Sequence, residues 1–215
     1  MTIRVFLLDD HALVRSGMRM MLSAETDIEV VGEADTGEIA LPMIRKLMPD
    51  VVLCDLHLPG ISGLEVTERI VKGGYDCKVV VVSVLEDGPI PKRLIEAGAS
   101  GYVGKAGDAA ELLRAVREVA RGKRYLASNI AQHLALSSID SNGSPFDQLT
   151  PRELEVALML THGLRQEEIA RRLSLSAKTV NTHKSRLFEK LGVRDVVHLA
   201  RMASQYGVVD PAGAI

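Results

Sequence analysis

The sequence predicts two domains: an α/β domain built on a parallel sheet, and behind it a small all-helical domain. Three observations carry this expectation. Over the first 120 residues, short β-branched runs alternate with amphipathic stretches. Residues 137–148 then read SSIDSNGSPFDQ, a Ser, Asp, Asn, Gly and Pro composition typical of linkers. Beyond that segment the apolar spacing is helical throughout, with no internal repeat.

The apolar runs fall at Ile3–Leu8, Ile28–Gly32, Val51–Cys54, Val79–Val82 and Ser100–Val103. They are apolar without alternation, as strands buried on both faces are. Between them, Ala12–Leu22, Glu38–Leu47, Leu64–Val71 and Ala109–Ala120 carry apolar residues at helical spacing. Five strands with interleaved helices in this length suit a doubly wound, flavodoxin-like sheet, whose functional crevice lies at the carboxyl ends of the strands. A further amphipathic piece spans Ser128–Leu136. After the linker, Thr150-Pro151-Arg152-Glu153 is a helix start, with Thr as N-cap, Pro at the first helical position and Glu three residues on.

The bulk numbers exclude some classes. The 215 residues are 47% hydrophobic and 25% charged, ordinary for a globular protein. No apolar stretch approaches the roughly 20 residues of a membrane helix, and the start, MTIRVFLLDDH, turns acidic too soon for a secretory signal. Cys54 and Cys77 stand in no metal or redox spacing, so a reduced, cytoplasmic setting is expected, with Cys54 as a core residue. Charge is divided unevenly: residues 1–125 are net −3 and residues 150–215 net +3. Nucleic acid is one partner a basic end would suit.

Four of the five strand ends carry chemistry. Asp9 and Asp10 close the first run, and Asp55 closes the third just before Pro59-Gly60 breaks the chain. Burying a lone ionised carboxylate costs several kcal/mol, on the order of the penalty for ions in real proteins. Converging carboxylates stay ionised together only with a cation among them. Oxygen donors suit Mg²⁺, which takes one or two carboxylates and keeps waters or phosphate oxygens. Ser83 ends the fourth run and Lys105 follows the fifth, so a hydroxyl and an ammonium stand on the same rim to hold an anion. Phosphoryl transfer needs this set: a carboxylate nucleophile, positioning, and neutralised oxygens.

The segments "LLDDH", "DVVLCDLHLPGISGLE", "VVVVS" and "AGASGYVGK" resemble the receiver domain of bacterial two-component response regulators, over about residues 3–121. The resemblance implies Asp55 as phosphoacceptor. It implies Mg²⁺ held by Asp10, Asp55 and the backbone carbonyl of His57, with Asp9 assisting, and phosphoryl oxygens held by Ser83 and Lys105. Tyr102, three residues before Lys105, matches the aromatic switch position that works with Ser83. The His57 imidazole itself is not expected to bind metal.

In the helical end, residues 165–191 read RQEEIARRLSLSAKTVNTHKSRLFEKL. One helix, Gln166–Leu173, gives way at Ser174-Leu175 to a second that starts after Ser176 as N-cap and runs to Leu191, a helix-turn-helix spacing. Val180, Leu187 and Leu191 form its core stripe. Lys178, Asn181, Thr182 and Ser185 form the opposite one, flanked by Lys184 and Arg186. A helix that enters a major groove needs such short polar and cationic side chains. The whole stretch LTPRELEVALMLTHGLRQEEIARRLSLSAKTVNTHKSRLFEKLGV resembles the LuxR-type helix-turn-helix, over about residues 148–206. It departs from that family at Arg165-Gln166, where Ser-Asn usually caps the scaffold helix, and at Asn181, where many members carry Lys.

Receiver, linker and this output together resemble the NarL/FixJ class. Within it, RYLASNIAQHLALSSID and SPFDQLT are similar to the GacA/UvrY group. The resemblance implies a receiver at residues 1–122, a helical segment and linker at 123–148, and a DNA-binding domain at 149–215. It implies a transcriptional regulator, not an enzyme, that takes a phosphoryl group from a sensor histidine kinase. Promoter DNA is read through Lys178, Thr179, Asn181, Thr182, Lys184, Ser185 and Arg186, and a homodimer forms on phosphorylation, with no membrane involved. A Mg²⁺-dependent phosphatase with an Asp nucleophile commonly has a second Asp two residues on; His57 stands there, and the reading leaves 148–206 unused. A ligand-sensing regulator needs an aromatic pocket, and this chain has no Trp and 3% aromatics.

Overall fold

The computed structural model describes residues 2–84, 89–105, 107–137, 144–173, 175–206 and 208–209. Residues 138–143 of the expected linker and Ser174 of the expected turn therefore lie outside the described residues. The chain divides into two compact units, with the main division at Leu136–Ser137.

The first unit holds strands β1 (Ile3–Leu8), β2 (Ile28–Ala34), β3 (Val51–Asp55), β4 (Lys78–Ser83), β5 (Gly101–Gly104) and β6 (Tyr125–Leu126). Helices α1 (Ala12–Ser23), α2 (Gly37–Leu47), α3 (Gly63–Lys72), α4 (Pro89–Glu96) and α5 (Ala109–Ala120) join them, and α6 (Ser128–Ser137) follows. All strand pairs are parallel, in the order β2-β1-β3-β4-β5-β6. The expected sheet of five strands thus has a sixth: Tyr125 and Leu126 pair with Gly101 and Tyr102. Two residues at an edge leave no periodicity in sequence; tertiary pairing alone makes them a strand. β2 also runs on past Gly32 to Ala34, after a register shift opposite Val5/Phe6 in β1.

Both faces of the sheet are covered. Val5, Leu7, Val51, Leu53, Val80, Val82 and Val103 pack with Met18 and Leu22 of α1 and Leu112, Ala115, Val116 and Val119 of α5. The alternate residues Phe6, Leu8, Val52, Cys54, Val79 and Val81 are also buried, which is why the strands read as continuous apolar runs. Thr36, Ser62 and Asp108 cap α2, α3 and α5, each side chain accepting a backbone N–H of the first turn.

The second unit contains α7 (Pro151–Thr161), α8 (Gln166–Arg172), α9 (Ala177–Leu191) and α10 (Val196–Gln205). Thr150 and Glu153 form the expected reciprocal cap with Pro151 in the first turn, and Ser176 caps α9 through Thr179 N–H. Arg165 precedes α8 with no side-chain cap, as its departure from Ser-Asn implies. The end of the expected linker is folded: Pro145–Gln148 is a capped 3-10 turn whose Phe146 is fully buried. Gln148 donates to the Lys190 carbonyl at 2.7 Å, tying this turn to α9. Among the described residues, no helix is long and apolar enough to cross a membrane.

Candidate functional site

Strand register builds the site. β1 lies between β2 and β3, so the direction of winding reverses there, and the carboxyl ends of β1 and β3 border the crevice of a doubly wound sheet. Leu8 is level with Cys54, which puts Asp9 beside Asp55. Asp55 is level with Val82, so Ser83 stands one residue beyond it on β4. Ser83 is level with Gly104, and Lys105 N–H donates to the Ser83 carbonyl at 2.7 Å. Four strand ends therefore deliver side chains to one rim.

The backbone after β3 is shaped for this. Gly60 takes φ +76°, a left-handed conformation that favours glycine, and completes the turn begun by Pro59. Glu38 of α2 accepts the Ile61 N–H at 3.1 Å and so fixes the loop from outside. At Gly63 a Cβ would stand 2.1 Å from the Asp55 carbonyl, so only glycine lets α3 start this close to the strand.

Asp9, Asp10, His11 and Asp55 each bring a donor atom within 4.8 Å of the others. Asp9 is fully buried and Asp55 nearly so. The Lys105 ammonium lies 2.8 Å from both Asp9 Oδ2 and Asp55 Oδ2. Those two oxygens and Asp10 Oδ1 are shielded from solvent, the first two with Lys105 as their counter-charge and the third with the His11 ring beside it. Three such carboxylate oxygens form a hard, anionic donor set of the kind that suits an Mg²⁺-type ion. Among the expected metal contributors, Asp9, Asp10 and Asp55 converge. His57 is held by its backbone N–H, which donates to the Asp55 carboxylate.

Burial dominates the electrostatics. Loss of hydration lifts the Asp55 carboxyl to about 6, against the pull of Lys105 and the His57 N–H in the other direction and with Asp9 adding to the rise. Lys105 titrates above the ordinary lysine range: burial opposes its charge, but Asp55 and Asp9 more than offset that. Cys54, buried beneath the carboxylates, is pushed far up by desolvation and then by Asp55 and Asp9. Ser83 and Tyr102 are both fully buried, in adjacent strands β4 and β5.

The expected nucleic-acid face is on α9. Val180, Leu187 and Leu191 are its buried stripe. Lys178, Asn181, Thr182, Ser185 and Arg186 are exposed, while Thr179 and Lys184 are half-buried. Thr179 bonds Ser176 Oγ through its backbone, Thr182 Oγ1 donates to the Lys178 carbonyl, and Lys184 stands 5.4 Å over the Phe188 ring. Gln166 of α8 reaches Asn181 Oδ1 at 3.4 Å. Arg152 bridges Glu155 at 2.7 Å and the Leu173 carbonyl at 3.1 Å, locking α7 to the end of α8.

Sequence reasoning gave the His11 side chain no role. The structure puts its imidazole at the acidic pocket, with Nδ1 2.6 Å from Asp10 Oδ1. The signal was its place directly after the two strand-end aspartates.

Comparison with known proteins agrees with both halves. Residues 5–117 match the response regulator receiver domain, and residues 147–203 match the bacterial regulatory proteins of the luxR family. Response regulator GacA of Pseudomonas aeruginosa is 46% identical, over 98% of this chain and 99% of its own. Response regulator UvrY of Escherichia coli K12 is 43% identical, over 96% and 95%. RcsB of Salmonella enterica serovar Typhimurium, solved bound to a promoter with the phosphomimetic BeF3⁻, is 26% identical with a TM-score of 0.62, over 95% and 98%.

Proposed function

Because this chain belongs to the two-component response regulators that join a receiver to a LuxR-type DNA-binding domain, we propose that Asp55 is its phosphoacceptor and α9 its recognition helix. The convergence of Asp9, Asp10, Asp55 and Lys105 at the strand ends carries the first half of that reading. A sensor histidine kinase is the donor. The Asp55 carboxylate attacks phosphorus, a P–O bond forms, and the bond to the donor's imidazole nitrogen breaks. Asp10, Asp55 and the His57 carbonyl, with Asp9 assisting, would hold Mg²⁺. When bound, that ion supplies charge neutralisation at the phosphoryl oxygens. Lys105 and the Ser83 hydroxyl hold the same oxygens, and Tyr102 responds to the move of Ser83. The protein is a regulator that accepts one phosphoryl group, acting in the cytoplasm, where its two free cysteines stay reduced.

The domain limits we propose are 1–122 for the receiver, 123–148 for the connecting segment and 149–215 for the DNA-binding domain. Phosphorylation favours a homodimer. Val197 on α10 is 72% exposed, an apolar side chain available for self-association in the output unit.

A phosphoryl at Asp55 touches Ser83 and Lys105 only in the active arrangement, so it shifts the population toward that state. Beryllofluoride is therefore expected to raise self-association and DNA affinity together. Sedimentation and duplex titration with and without the mimic test this; no change in either leaves the receiver uncoupled from the output.

On α9, Asn181→Ala is expected to relax base preference at one position per half-site, by roughly 1–3 kcal/mol if its contact is bidentate. Lys178→Ala, Lys184→Ala or Arg186→Ala instead weakens all duplexes alike and lowers the salt dependence by about one ion each. Titrations on specific and scrambled duplexes at several salt concentrations separate the two effects. Intact preference in Asn181→Ala would mean another helix reads the groove.

A further inference from the structure

We propose that His11 is a nitrogen donor to the divalent-ion site, so that the pocket favours a borderline first-row ion, of the Mn²⁺ or Co²⁺ kind, more strongly than its carboxylates alone would. The inference rests on the reading of Asp9, Asp10 and Asp55 as an ion site.

Helix capping does not account for this histidine. It occupies the N-cap of α1, where Asn, Asp, Ser and Thr are preferred, and its side chain makes no capping bond. Asp9 Oδ1 takes the His11 backbone N–H at 2.7 Å instead. That bond anchors the residue with its ring over the carboxylates: Nδ1 is 2.6 Å from Asp10 Oδ1 and 3.6 Å from Asp9 Oδ1. The 2.6 Å contact is within ion-pair distance, and Asp10 Oδ1 has no other partner among the described residues. A ring nitrogen and an oxygen side by side at this pocket can both turn to an ion that enters it.

The spacing fits one ion. Neighbouring donors on an octahedral ion stand about 3 Å apart and opposite ones about 4.2 Å, given ion–ligand distances of about 2.1 Å. The two distances from His11 straddle the first value, and the 4.8 Å that bounds all four donor atoms exceeds the second by about 0.6 Å, which small side-chain rotations close. The donor set is then three carboxylates and an imidazole. Carboxylate alone suits Mg²⁺, whereas imidazole favours later first-row ions, and affinity rises from Mn²⁺ to Co²⁺. The His11 side chain is 65% exposed, so its replacement leaves the core intact.

Calorimetric titration of the full chain with CoCl₂ and with MgCl₂, in the wild type and His11→Ala, tests the proposal. Co²⁺ affinity is expected to fall at least about tenfold in the variant, the lower end of what even an outer-shell partner of a metal is worth, while Mg²⁺ affinity falls much less. A spin-echo spectrum of bound Mn²⁺ is expected to show imidazole ¹⁴N coupling that His11→Ala abolishes. Equal losses for both ions, no nitrogen coupling, or tighter binding of both ions by the variant would overturn the inference, the last making His11 a competing cation. If neither ion binds the wild type, the ion-site reading falls as well.

Discussion

Replacing Asp55 with asparagine is expected to abolish phosphoryl uptake and, in ion-free buffer, to make the receiver more stable. The first effect is chemical. With acetyl phosphate and Mg²⁺, the wild type gains one phosphoryl group, read by intact mass; an amide at this position cannot attack as a carboxylate does. Uptake by Asp55→Asn at the wild-type rate would sink the assignment.

The second effect follows from burial. The folded protein holds the Asp55 proton up to about pH 6, above the ordinary 3.8. Between those values the folded state binds more protons than the unfolded chain, so stability falls as pH rises. Above pH 6 the full cost is present, at most about 3 kcal/mol for two pK units of a nearly buried carboxyl. Asparagine removes that cost and leaves Lys105 paired with Asp9. Urea unfolding with EDTA is therefore expected to favour the variant at pH 7.5 and to show a much smaller advantage at pH 4.5. Identical curves at both values would mean the carboxylate is better solvated than its burial implies.

Phe146→Ala is expected to unfold the DNA-binding unit while leaving phosphoryl uptake in place. Phe146 is fully buried in the 3-10 turn that Gln148 ties to α9. Truncating a buried Phe costs about 3–5 kcal/mol, a large part of the 5–15 kcal/mol by which most domains are stable. Calorimetry should show one transition moved down and one unmoved, duplex binding should be lost, and Phe146→Leu should recover most of both. If the Ala variant binds DNA normally, the turn is an ornament on the unit rather than part of its core.

That turn also marks where the sequence was hardest to read. SSIDSNGSPFDQ has the composition of a linker, and the one clue against it was a lone aromatic in a chain with few. A hydrophobic residue amid turn formers is visible, but whether a neighbouring helix covers it is not a local property. Tyr125–Leu126 was invisible for a related reason, because a two-residue edge strand exists only through its partner β5. The strand-end residues were legible because they break a rule. A carboxylate closing an apolar run conflicts with burial, and Asp9, Asp10 and Asp55 each stand at such a break. The core stripe of α9 was legible too, since Val180, Leu187 and Leu191 keep helical spacing. His11 was missed because one residue between a strand end and a helix start fits either role.

One neighbour of the acidic pocket has a consequence for what this protein can be made to report. Peroxide and disulfides react with thiolates that they can reach. Cys54 adjoins Asp55 but is sealed in the sheet, donates its S–H to the Asp55 carbonyl at 3.3 Å, and is kept protonated first by its burial and then by the carboxylates above it. Burial, reinforced by the negative charge at the rim, thus suppresses a second nucleophile one residue away. Oxidative stress therefore has no chemical purchase at Cys54, the thiol nearest the acidic pocket.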